Sequence, residues 1–329
     1  MNIKEIIYNS LFTPVRFVEN LLESPAIILI YHRVADLEDD SQQLAVKPRN
    51  FSKQIHYLKN NFNLLTVEEF AGIIINQKKL PQRSILLTFD DGYADNYLNA
   101  VPILESNKVQ SLFYITTSML NNEEETWWDK LEQIFILNSR LPSKLSVEIN
   151  EKQYIFDTSS GSQIEKTYKA LHQILKYLKI DERIKVIKQL AERKGTDTIA
   201  RPTHRFLTSG ELKKMSLSKS VIIGAHTHTH TPLSILRAEE QRDEITTSVR
   251  LLEEITGKKV EHFSYPFGLK KDYNKDTINI CKEIGFKFVC ANYYSQVHSW
   301  TDRYQLPRIL IRDWEFETFK TSVNRYFRY

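Results

Sequence analysis

Cysteine is scarce: Cys281 and Cys290 are the only two in 329 residues. They form no CxxC pair and are too few for a disulfide framework, so the chain reads as one suited to a reducing compartment, with two structural thiols. Long apolar runs are missing as well, and none approaches the ~18 residues of a membrane-spanning helix. No low-complexity tract interrupts the chain. Nor does charge of one sign dominate, because 45 basic and 41 acidic residues leave a net +4. There is no basic stripe and no nucleic-acid-binding motif, so nucleic acid is not expected as a partner. The short basic end, 324–329, reads as a solvated tail.

The beginning of the chain lacks the features of a secretion signal. A signal peptide needs a basic opening followed by an unbroken apolar stretch, and Glu5, Arg16 and Glu19 break every candidate. A cytoplasmic location is therefore expected. Residues 3–22 are nevertheless rich in Ile, Leu, Val and Phe. Segment 1–24 reads as an apolar helix, either packed on the body or resting on the inner face of a membrane.

What is present is a regular alternation. Apolar, β-branched runs at 26–31, 84–89, 111–116, 221–224, 262–265, 286–291 and 306–311 read as buried strands. Helical spacing separates most of them, at 51–58, 67–75, 96–105, 239–256, 277–284 and 315–326, with Gly257 as a stop signal. Strand alternating with helix implies an α/β fold with a parallel sheet. Seven strands in one series suggest a barrel, although periodicity alone does not close one. Residues 121–205 break the rhythm with polar helices at 162–177 and 181–194 and a hairpin at 145–156. They read as an insertion within a single barrel spanning 1–329. Near its start stand Trp127 and Trp128, which either line a sugar site or anchor the insertion.

In β/α barrels the reactive groups sit where strands end, on one face. Unusual polar residues fall at four such ends: His32, then Asp90-Asp91-Gly92, then His226-Thr227-His228-Thr229-His230, then Tyr265-Pro266-Phe267-Gly268. Two adjacent carboxylates at an apolar strand end are costly unless each has a task, such as binding a metal and acting as a base beside it. Three histidines in five residues suggest a metal. Were the segment extended, all three would share a face; were it a turn, His226 and His230 would pair and His228 would point elsewhere. Thr231-Pro232 favours the turn. Two imidazoles and a carboxylate, with a free position, form an open catalytic metal pattern.

These residues resemble the polysaccharide deacetylases, the NodB-homology family of carbohydrate esterases. Thr88-Phe89-Asp90-Asp91-Gly92, the HTHTH run and Tyr265-Pro266-Phe267-Gly268 look like that family's first three motifs. The resemblance spans roughly residues 26–311 apart from the insertion. It implies a distorted (β/α)7 barrel, a divalent metal with zinc as first choice, and hydrolysis of an N-acetyl group on an amino sugar of a cell-surface polysaccharide or its precursor. It implies Asp90 as the base and Asp91, His226 and His230 as metal ligands.

Two features depart from the family pattern. No arginine precedes Pro266 within 261–265, and no histidine occurs in the late segment Leu306-Pro307-Arg308-Ile309-Leu310. However, Tyr31-His32-Arg33-Val34 is similar to the branch that includes the bacterial poly-N-acetylglucosamine deacetylases. In that branch the barrel is circularly permuted and its last motif comes first, so His32 would inherit the role of catalytic acid. The oxyanion would meet a backbone N–H at Phe267, since Pro266 has none. Tyr265, Pro266, Trp127 and Arg308 are expected to meet the substrate, an N-acylated glycan or a carrier-linked precursor. Two other readings stay open: deformylation of a lipid-linked formamido sugar, and a catalytically inactive glycan-binding barrel, to which the missing arginine lends weight.

Overall fold

A computed structural model of the chain describes residues 19–20, 22–135, 141–194 and 200–327. The apolar opening segment and the end of the basic tail lie mostly outside these residues. Among the described residues no helix is long and apolar enough to cross a membrane.

The first strand shows why the apolar runs fold as they do. All six residues of β1, Ala26–Tyr31, are fully buried. A parallel sheet covered on both faces has no polar side, so its strands read as continuous apolar runs. The others are β2 Asn63–Leu64, β3 Ser84–Phe89, β4 Ser111–Ile115, β5 Lys144–Ile149, β6 Lys152–Asp157, β7 Val221–Ala225, β8 His262–Ser264, β9 Phe288–Cys290 and β10 Ile309–Leu310. In the main sheet the order is β10-β1-β3-β4-β7-β8-β9, every pair being parallel, with the short β2 added beside β3.

The barrel closes through the last segment. Leu306 bridges to Cys290 of β9, and three residues further on Ile309 and Leu310 pair with Leu29 and Ile30 of β1. The strand expected over 306–311 is therefore split. Pro307 has no N–H to give a continuous ladder, and the chain changes partner across it. A second departure has a similar cause. The helix expected over 96–105 opens with a π turn, Asn96–Ala100, before the α-helix Val101–Asn107. Pro102 cannot donate to the carbonyl four residues back and its ring crowds it, so the preceding turn widens.

The insertion folds around its own core. Helix Trp127–Phe135, the β5–β6 hairpin and helices Gly161–Lys176 and Ile180–Lys194 bury Leu131, Phe135, Val147, Leu171, Val186 and Leu190 together. Asn150 and Glu151 turn the hairpin with φ +48° and +63°, the left-handed pair that matches strand twist.

Register decides where the chemistry falls. Tyr31 pairs with Phe89, Ile115 with Ala225, and Ala225 with Phe263. The residues just beyond, His32, Asp90, Thr116, His226 and Ser264, accordingly emerge at one rim.

Candidate active site

The structure brings Asp91, His226 and His230 together in a buried cluster. One ligand atom from each lies within 4.8 Å of the others. His230 Nε2 is 3.3 Å from Asp91 Oδ1, and His226 Nε2 is 3.7 Å from the same oxygen. His226 Nδ1 lies 2.8 Å from the Ser264 carbonyl oxygen, which can only accept. The proton must be on Nδ1, leaving the Nε2 lone pair for a metal. Burial lowers the His226 pKa to about 4 against the pull of Asp90, so the ring is neutral, as a ligand must be. This donor set fits a divalent ion.

Backbone conformation aims these groups. Asp91 has φ +75°, a region that Asp tolerates better than most residues, and Gly92 follows at +91°. A Cβ on Gly92 would lie 3.1 Å from Ile115 Cγ2 of the neighbouring strand. The histidine segment is neither extended nor helical, because Thr227 and His230 have φ +63° and +57°. These two reversals turn His228 away, where its Nδ1 lies 2.9 Å from Thr117 Oγ1. Glu244 locks the loop by accepting from the N–H groups of His228 and Thr229 at 3.0 and 2.8 Å.

Asp90 sits beside the cluster and is held by Arg308. The guanidinium donates to both carboxylate oxygens at 2.6 Å. Burial works to raise the Asp90 carboxyl, but Arg308 and His226 outweigh it and hold it below its ordinary value. The expectation that Arg308 meets substrate is corrected here. It is 1% exposed, and it spends its remaining donors on Ala291 O at 2.8 Å, Ser264 Oγ at 2.6 Å and Thr88 Oγ1 at 3.3 Å. The arginine missing before Pro266 is thus replaced in space from the other end of the chain.

His32 stands at the end of β1, facing both carboxylates, with Nδ1 buried and unpartnered. Burial lowers its pKa while Asp91 and Asp90 raise it, and burial prevails. Phe267 packs its ring 4.7 Å from that of His230, and its N–H donates to no acceptor among the described residues. Tyr265 is a core residue rather than a substrate contact: it is fully buried, donates to Tyr304 O at 2.9 Å and stacks on Tyr273 at 4.0 Å. Pro266 is buried and its carbonyl accepts from Gly268, so it shapes the turn instead of touching substrate.

Of the tryptophan pair, Trp128 is the one against the candidate ligand cluster, 5.0 Å from the His230 ring. Trp127 stands edge-on behind it at 5.4 Å and lines a cavity of about 990 Å³ between the insertion and the barrel rim. The sequence expectation puts Trp127 at the substrate, but both open the same helix and packing sets Trp128 beside His230. A second group, Asp129, Glu132 and His204, also gathers ligand atoms. One of its carboxylates, Glu132, is already paired with Arg201 at 3.1 Å, and Asp129 accepts from Tyr93 Oη at 2.7 Å and Thr126 Oγ1 at 2.6 Å.

Comparison with known proteins agrees with the motifs and the barrel. The profile of the polysaccharide deacetylases matches residues 77–135 and 153–289, more than half of the chain. The poly-beta-1,6-N-acetyl-D-glucosamine N-deacetylase of Staphylococcus aureus (strain N315) is 22% identical over 309 residues, covering 90% of this chain and 81% of that protein. YxkH of Bacillus subtilis (strain 168) is 23% identical over 151 residues, and the chain spans about half of its length, 53%. Among solved structures, Streptococcus pyogenes deacetylase PplD in complex with acetate matches with a TM-score of 0.60 at 17% identity, covering 91% of this chain and 97% of that one. That structural likeness establishes the fold, a distorted (β/α)7 barrel. Taken with the profile match over the strand-end motifs, it shows that the chain belongs to the polysaccharide deacetylase family.

Proposed function

We propose that this protein is a metal-dependent N-deacetylase of an N-acetylated amino-sugar glycan. The observation that carries the reading is the buried Asp90 carboxylate, kept ionised by Arg308, beside the three potential ligands Asp91, His226 and His230. The name of the staphylococcal relative makes poly-β-1,6-N-acetylglucosamine the first substrate to try. A bound divalent ion, zinc foremost, would supply Lewis acidity to the acetamido carbonyl and to the attacking water.

The chain's own residues do the rest. Asp90 takes the proton from the attacking water. Oδ1 accepts from Arg308 alone and keeps a second lone pair for that proton, whereas Oδ2 also accepts from Ser264 Oγ at 3.4 Å. The unpartnered N–H of Phe267 receives the oxyanion. His32 delivers a proton to the leaving amine, and Asp91 and Asp90 partly offset the cost that burial sets on its charged form. Trp128 and Phe267 flank His230 and keep water from that side of the site. Trp127 and the cavity behind it take the neighbouring sugar units or a carrier. A cytoplasmic location, with residues 3–22 on the inner membrane face, goes with a carrier-linked precursor as substrate.

The experiment is acetate release from short β-1,6- and β-1,4-linked N-acetylglucosamine oligomers and from lipid-linked N-acetyl sugars. Activity should vanish with a chelator and return with zinc or another divalent ion. Release of formate in place of acetate from a formamido sugar would transfer the assignment to deformylation. Fully metal-loaded protein that releases neither acid from any of these would end the proposal.

A further inference from the structure

Besides Trp128 against His230, the insertion makes a second buried contact beside the site. Lys176, the last residue of helix Gly161–Lys176, places its ammonium 2.8 and 2.9 Å from the two oxygens of Asp272, and the two side chains are 4% and 0% exposed. Asp272 is also the hub of the turn that follows Phe267. It accepts from the Leu269 N–H at 2.9 Å and from Tyr177 Oη at 2.5 Å. The same ammonium lies 4.3 Å from the centre of the Phe267 ring. A buried ion pair is weak evidence of a stabilising role, because desolvating two charges offsets much of their attraction. Its place against Phe267 calls for another explanation.

Phe267 supplies one. Its φ of +59° is unusual for a residue with a bulky side chain, and such a conformation persists only where the surroundings hold it. Behind it Gly268, at φ +69°, is pressed against the next strand's extension, where a Cβ would lie 2.6 Å from Asn292 N. In front stand Lys176 and the Asp272 turn. The backbone is therefore clamped between the barrel and the insertion. Clamping the Phe267 ring also limits how far His230, 4.7 Å away, can tilt.

We propose that Lys176 is a positioning residue contributed by the insertion: by contact with the Phe267 ring and by its pair with Asp272, it fixes the Phe267 N–H where the oxyanion develops. The inference rests on the deacetylase reading above and adds a catalytic task for the insertion. The competing role is plain fastening of the insertion to the barrel.

Two full-length variants separate the roles, Lys176→Met and the double Lys176→Met/Asp272→Asn, which leaves no unpaired buried charge. Metal content, Tm, kcat, KM and hydrogen exchange of the segment 266–272 are measured for each. Metal content should match the parent in both. In both, kcat should fall by up to about a hundredfold, the scale of a small misplacement at a reacting centre, with KM little changed. Exchange across 266–272 should quicken. Unchanged kcat or unchanged exchange overturns the proposal. So does a loss of metal, Tm and activity in the single variant that the double variant restores, since that is fastening alone. If the parent protein deacetylates nothing, the functional reading fails by itself, and the exchange measurement still decides on Lys176.

Discussion

Arg308 grips Asp90 with two hydrogen bonds of 2.6 Å across a separation of 218 residues. The pair is buried, with side chains 0% and 4% exposed. Burial pulls the guanidinium's pKa down and Asp90 pulls it up, and the attraction wins. Such two-pronged geometry fixes the carboxylate's plane as well as its charge. It also removes the main ground for reading the barrel as inactive, because the arginine that the third motif lacks is present in space.

Arg308→Met should shift the pH dependence of turnover. With the guanidinium gone, burial raises the Asp90 carboxyl, so the base is ionised only at higher pH. The acid limb of kcat/KM should move upward, and the rate near neutrality should fall on the order of a hundredfold. Arg308→Lys keeps the charge without the fork and should fall in between. A pH–rate profile with native-like near-ultraviolet circular dichroism tests this, and an unmoved acid limb would count against it.

His226→Ala and His230→Ala should each lose the metal, whereas His228→Ala should retain it. The first two offer atoms to the cluster, and His228 is turned to Thr117. Elemental analysis after dialysis reads the outcome directly. Equal metal loss in all three variants would mean that the loop rearranges when the ion binds.

His32→Ala should keep its metal and lose roughly 10²–10⁴-fold in kcat, the range for a general acid. Its charged neighbours in the site are Asp91, Asp90, Arg308 and His230, of which only Asp90, once it has taken the water's proton, has one to give. Near-normal turnover of the substrate by this variant would sink the assignment.

His262 should make the fold acid-sensitive. Burial, with Lys287 adding to it, lowers its pKa from 6.5 to about 3. Between those values the unfolded chain binds the proton and the folded one does not. The contribution to stability is full above pH ~6.5 and is lost as pH falls toward ~3. His172 and His204, at about 4 and about 3, act with the same sign. His262→Leu should flatten part of that slope in denaturant titrations at successive pH values. A slope equal to the parent's would show that His262 is not a source of it.

Much of the site was legible because its parts are local. Asp90 and Asp91 are adjacent, the clustered histidines lie within five residues, and each group ends an apolar run. Parallel register then forces strand ends to one rim, so chain order alone predicts convergence. The choice of His226 and His230 over His228 also followed from a local turn signal, though the turn itself is made by left-handed residues at 227 and 230. Tyr265 and Pro266 show the limit. They stand in a motif at a rim, but which side chains of a turn face inward depends on packing against Tyr273 and Tyr304.

The sequence by itself determined the strand–helix series, the barrel class, the carboxylate pair and the pair of histidines that could bind a metal, because hydrophobic period and neighbouring residues encode them. Only the tertiary structure decided that Arg308 grips Asp90, that Trp128 and not Trp127 abuts His230, and that Lys176 reaches Phe267. Each of these is a contact between elements far apart in the chain, set by barrel closure and by the docking of the insertion. No local pattern carries the distance between two such elements, because burial and charge pairing become specific only once the layers have packed.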